Sequence, residues 1–143
     1  MSKHLVVTLA VLAAAGNPTE DASKAAAKKF EGTWQLVSAV TDGKPTPADV
    51  VNKIRVVIKD GKHSVFFKDQ AVVKQIPFVV DTTRTPNEAT DTLPDGKTIK
   101  GIYKIDGDTM ASCVAPPGKD RPTEFASKPG TGHTLRVFKR AQP

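Results

Sequence analysis

Between Gly32 and Arg140 the chain is cut into short apolar runs by turn signals, with Asp-Gly pairs at 42–43, 60–61, 95–96 and 106–107. Asp-Gly tolerates the left-handed backbone that two-residue hairpin loops require, so such pairs reverse antiparallel strands. No long helical period separates the runs, which argues against strand–helix–strand units and a parallel sheet. Alternation and turn positions predict strands at Gly32–Val40, Ile54–Lys59, His63–Lys68, Ala71–Asp81, Asn87–Leu93, Lys97–Ile105, Thr109–Ala115 and Thr134–Arg140. Pro77 breaks the fourth of these and implies a bulge or an edge. A single helical turn is expected over 47–52. The Ala- and Lys-rich stretch Asp21–Phe30 reads as a short helix with Asp21 as N-cap, after a polar linker reaching Glu20. Eight sequential antiparallel strands close most simply into an up-and-down barrel, which leaves no edge unpaired. The expected fold is therefore all-β: an eight-stranded antiparallel barrel with a short N-terminal helix.

With 143 residues the chain is one domain that can bury a core without staples. Residues 1–15 differ from the rest. Lys3 and His4 precede an apolar run from Leu5 to Leu12, and Ala13-Ala14-Ala15 supplies small residues before Gly16. That layout is a secretory signal peptide, too short in its apolar part for the roughly 20 residues of a transmembrane helix. The alternative is a buried N-terminal helix of a cytosolic protein. The expected organisation is a signal at 1–15, linker and helix at 16–31, and the barrel at 32–143, with an extracytoplasmic destination, periplasmic or secreted.

Formal net charge is +6, and removal of Lys3 leaves 20 basic against 15 acidic residues. The excess favours anionic partners, but the lysines are scattered, as on an ordinary solvated surface. Nucleic acid is not an expected partner. Cys113 is the single cysteine, so no internal disulfide forms. Its apolar neighbours make it a small buried hydrophobe rather than a nucleophile.

The only tryptophan, Trp34, lies in Gly32-Thr33-Trp34 at the start of the first strand. With Gln35-Leu36-Val37-Ser38 this resembles the G-x-W strand of lipocalins and related calycins. That resemblance implies that the indole closes the barrel floor under a basic residue of the last strand. Arg136 is the matching residue, with Lys139 and Arg140 as less suited substitutes. A guanidinium over an indole contributes roughly 0.5–2 kcal/mol. Over the mature chain three segments carry a closer likeness: 32–37, 101–109 (Gly-Ile-Tyr-Lys-Ile-Asp-Gly-Asp-Thr) and 117–125 (Pro-Gly-Lys-Asp-Arg-Pro-Thr-Glu-Phe). They resemble a lipocalin-like small domain family of unknown function, abundant in planctomycete bacteria. It implies a calycin-like barrel, commonly behind a signal peptide, and no activity. The chain lacks the disulfides and the length of larger lipocalins.

Two places are candidates for function. The first is the lumen, with Trp34, Val56, Ile58, Phe67, Phe78, Tyr103 and Met110 as inward-facing residues; of the adjacent pair Phe66 and Phe67, a regular strand turns only one inward. The lumen is either a pocket for a small apolar ligand or a packed core. The second is the long loop 116–133, which is either a lid or a recognition surface for an acidic group at Arg121, or else is held by a structural Arg121–Glu124 ion pair with Phe125 tucked under the barrel end.

Chemistry beyond binding finds little support. His63 and His133 have no metal-ligand spacing, no nucleophile elbow exists, and Asp106 and Asp108 flank a hairpin glycine without the oxygen ligands calcium requires. The reading is an exported, non-catalytic, lipocalin-like protein without cofactor or metal, taking a small apolar or amphipathic ligand in its barrel. The alternative is a packed-core interaction module meeting an envelope component through its basic surface or the 116–133 loop.

Overall fold

A computed structural model describes residues 18–141. The N-terminal segment read as a signal lies outside the described residues. Helix α1 (Pro18–Lys28) is followed by strands β1 (Gly32–Thr41) and β2 (Lys44–Pro45), helix α2 (Ala48–Val51), and β3 (Ile54–Lys59). Then come β4 (Lys62–Phe67), β5 (Gln70–Asp81), β6 (Asn87–Thr92), β7 (Thr98–Asp106), β8 (Thr109–Val114) and β9 (Thr134–Arg140). Apart from the two-residue β2, which pairs only with the outer end of β1, each strand pairs antiparallel with its sequence neighbour. β9 returns to β1 and closes an eight-stranded up-and-down barrel.

Local chemistry explains the order. Asp60 and Gly61 both take positive φ, 53° and 72°, the geometry of a type I′ turn whose twist matches the strands it joins. Pro77 itself pairs in register with Lys62, and the bulge lies just before it, where the β4–β5 register slips between His63 and Val65 and Gln75 takes φ 49°. The slack is taken up by the Gln75 amide donating to Ser64 Oγ at 2.9 Å. Helix α1 starts three residues before its expected N-cap. Pro18 suits a first helical position, since its φ is preset and its missing N–H has no partner there. Residues 18–20 therefore belong to the helix rather than to a linker.

The two ends of the barrel differ. The strand directions gather α1 and the turns at 60–61 and 107–108 at one end. At the other lie the β1–β3 connection with α2, the turn at 93–97 and the long β8–β9 connection. The first end is closed. Phe30, Trp34, Ile58, Tyr103 and Phe138 are buried there in one cluster, and Phe30 meets Tyr103 edge-on at 4.6 Å and Phe78 at 5.6 Å. α1 is fastened to β5 by the Val80 amide donating to Ser23 Oγ at 3.2 Å.

Candidate functional site

The floor depends on Gly32 and Trp34. Trp34 is fully buried, and its indole N–H donates to the Phe30 carbonyl at 2.7 Å, fixing the turn out of α1. The β1–β9 register sets Trp34 opposite Arg140, whose guanidinium carbon stands 4.2 Å from the ring centroid. The expected cation is thus corrected from Arg136 to Arg140. Both point inward from β9 at the same parity, but Arg136 pairs with Ala39 further up the barrel. Arg140 also donates to the carbonyls of Glu31 at 2.8 Å and Lys29 at 3.1 Å, and its Nε lies 3.5 Å from the Asp108 carboxylate. The motif glycine has a steric reason. At φ 123°, Gly32 passes beside Arg140, and a Cβ there would meet Nη1 at 3.2 Å.

Above this floor the barrel encloses a cavity of about 580 Å³, within the range of roughly 300–1,000 Å³ for small-molecule pockets. Val56, Ile58, Phe78, Tyr103 and Met110 line it as expected from strand alternation. Trp34 does not line it, because the indole lies within the floor. Phe67 shares the inward face with its cross-strand partner Ile54, yet the cavity lining on β4 comes from His63 and Val65. Phe66 faces outward under the Arg55 guanidinium at 4.9 Å, so the choice within the Phe66–Phe67 pair follows the pleat.

The walls are mainly apolar, and their polar groups fall into distinct sets. At the mouth Thr41 and Thr134 join hydroxyl to hydroxyl at 3.1 Å. Deeper, His63 Nε2 and Asp91 Oδ2 pair at 3.0 Å. Burial, and after it the charge of Asp81, pushes the Tyr103 phenol up from its ordinary value, so the ring lines the cavity as a neutral hydroxyl. Arg136 stands apart. It projects into the lumen between Ala39 and Ser112, its register partners on β1 and β8. Desolvation lowers its pKa from the ordinary arginine value, opposed in part by the charge of Asp91. Histidine, cysteine and carboxylate side chains form no cluster able to hold a metal ion among the described residues.

The 116–133 loop does different work from that expected. Arg121 does not pair with Glu124. Its Nη1 donates to the carbonyls of Ala89 and Gly101, both at 2.7 Å, its Nη2 to Thr90 Oγ1 at 2.8 Å, and its Nε faces Glu88 at 3.3 Å. Glu124 instead meets Lys128 at 2.8 Å on the surface. Phe125 lies under Lys104, 4.7 Å from the ammonium, on the outer wall of β7 rather than beneath the barrel end. The loop is a strap laid over the outside of β6–β8, covering Ile102 and Cys113, with Cys113 Sγ 3.4 Å from the Ala126 carbonyl. Burial pushes that thiol up from its ordinary value, in keeping with an inert hydrophobe. The end of the strap is tied to the mouth, where the Gly132 amide donates to Asp42 Oδ1 at 2.9 Å and the Gly43 amide to Ser127 Oγ at 3.0 Å.

The chain matches no family model, no curated protein and no solved structure.

Proposed function

We propose that the protein is a non-catalytic, lipocalin-like carrier that takes one small amphipathic molecule into its barrel. The observation that carries this reading is the cavity of about 580 Å³, apolar along its walls and with a few polar groups set into them. Desolvating an apolar ligand there gains on the order of 25 cal/mol for each Å² removed from water, and the polar groups orient it. A docking role for the 116–133 strap has less to stand on, since the donors of Arg121 are engaged by the barrel wall. The layout of residues 1–15 supports export, so the carrier would work outside the cytoplasm. Mature protein beginning at Gly16, read by intact mass in an extracytoplasmic fraction, is the expected outcome; unprocessed protein in the cytoplasm would contradict it.

The test of the carrier reading is uptake of a neutral fluorescent aromatic, 1-aminoanthracene. Saturable binding at one molecule per chain with blue-shifted emission is expected. No uptake at concentrations up to the probe's solubility would overturn it.

A further inference from the structure

Arg136 is the one charged group lining the lumen that has neither ion pair nor hydrogen bond among the described residues. Of the other ionisable side chains of the lining, His63 and Asp91 are hydrogen-bonded to each other at 3.0 Å. Among the described residues no side-chain nitrogen or oxygen is both sealed from solvent and unpartnered, so the guanidinium nitrogens reach open space, and the residue itself lines the cavity. Keeping a cation unpaired inside an apolar barrel costs stability, and a position with no structural return is where a ligand's complementary charge is to be sought.

We propose that the ligand is an amphiphile with a single anionic head, a carboxylate on an alkyl or ring body, and that Arg136 receives the head by a forked pair of hydrogen bonds. The inference rests on the carrier reading and names the class of molecule carried. The geometry suits it. Arg136 lies two residues inward from Thr134 of the mouth, roughly 7 Å along the strand. The Ser112 hydroxyl beside it can add a donor to the same carboxylate. Below, toward the floor, the lining is Leu36, Ile58, Phe78, Met110 and Phe138, a surface for a hydrocarbon body. A guanidinium matches a carboxylate in two parallel N–H···O bonds, and in a water-poor lumen such a pair is stronger than at a surface. Asp91 is already paired with His63, so among the described residues the lining offers one unengaged cation, matched to one negative charge.

Calorimetric titration of the whole chain with decanoate, decanol and decylamine, each below its micelle concentration, tests this. Decanoate is expected to bind about 10- to 100-fold more tightly than decanol, the worth of a charged hydrogen-bonded contact, and decylamine most weakly. In Arg136→Met the preference for decanoate should vanish while decanol binding persists. In Arg136→Lys part of the preference should return, since charge remains and the fork is lost. Emission of the single buried tryptophan reports that each variant is folded. Equal binding of decanoate and decanol by the unaltered protein, or a preference that survives Arg136→Met, would overturn the head-group assignment and leave the carrier reading standing. Failure of all three amphiphiles to bind would overturn both.

Discussion

At the scale of single residues, two arginines two turns of the pleat apart on β9 have opposite roles. Arg140 is satisfied: it stacks on Trp34 and donates to the carbonyls at the end of α1. Arg136 has neither ion pair nor hydrogen bond among the described residues and lines the lumen. Trp34→Ala should cost about 3–5 kcal/mol in chemical denaturation, as for other large buried aromatics. Arg140→Ala should cost about 1–3 kcal/mol through the lost stacking and hydrogen bonds, and should red-shift the indole emission, whereas Arg136→Met should leave that emission unchanged. A loss below about 1 kcal/mol for Trp34→Ala, typical of surface positions, would contradict its place in the floor. Asp42 makes a prediction about pH. Its hydrogen bond from the Gly132 amide, helped by lesser contacts including Lys44, holds its carboxyl below the ordinary 3.8. A group whose pKa is depressed by folding stabilises the structure above its unfolded pKa, and that contribution is lost as pH falls through the folded value. The tie between strap and mouth should thus hold at neutral pH and loosen only below about pH 4. Exchange of the Gly132 amide followed against pH checks this; loosening already at pH 5–6 would contradict it.

At the scale of elements, the strap and the barrel wall invite separate tests. Arg121→Ala removes four contacts to β6 and β7 and should cost about 1.5–3 kcal/mol. Cys113 lies beneath the strap, so its labelling by a thiol reagent under native conditions should quicken at least about tenfold in that variant, the change expected for about 1.4 kcal/mol of local opening. An unchanged labelling rate would show that Arg121 does not hold the strap down. Inside, Ala39→Phe places a ring in the lumen beside Arg136 and should abolish 1-aminoanthracene uptake, at an overpacking cost of about 1–3 kcal/mol. Persistent uptake would place the probe elsewhere.

These elements also mark how far the sequence can be read. Strand positions were legible because alternation and Asp-Gly turns are local signals, each carried by a few adjacent residues. The inward identity of Val56, Ile58, Phe78, Tyr103 and Met110 followed from the same alternation. What meets what across the barrel was not legible. Arg136 and Arg140 share a face of β9, and only the register with β1, shifted by a bulge between Leu36 and Ser38, decides which reaches Trp34. Arg121 found partners in backbone carbonyls of β6 and β7, which no side-chain pattern announces. That Arg136 finds no partner among the described residues is a property of the closed barrel, which no local pattern announces.

For the whole molecule, closure settles both stability and access. Pairing β9 with β1 leaves no barrel strand with a free edge, the floor seals one end through Phe30, Trp34 and Phe138, and the mouth remains beside Thr41, Thr46 and Pro116. A chain built only for a packed core would fill its lumen, since interiors reach crystal-like density. This one keeps a mainly apolar space with Arg136, unpartnered among the described residues, in its lining. The measurement that meets the account most directly is native mass spectrometry of the protein isolated from its own host without detergent, followed by denaturation and identification of what is released. One small organic acid per chain is expected, lost on denaturation, with the same site refilled when decanoate is added back. A bare protein mass that stays bare when decanoate and decanol are supplied would contradict it.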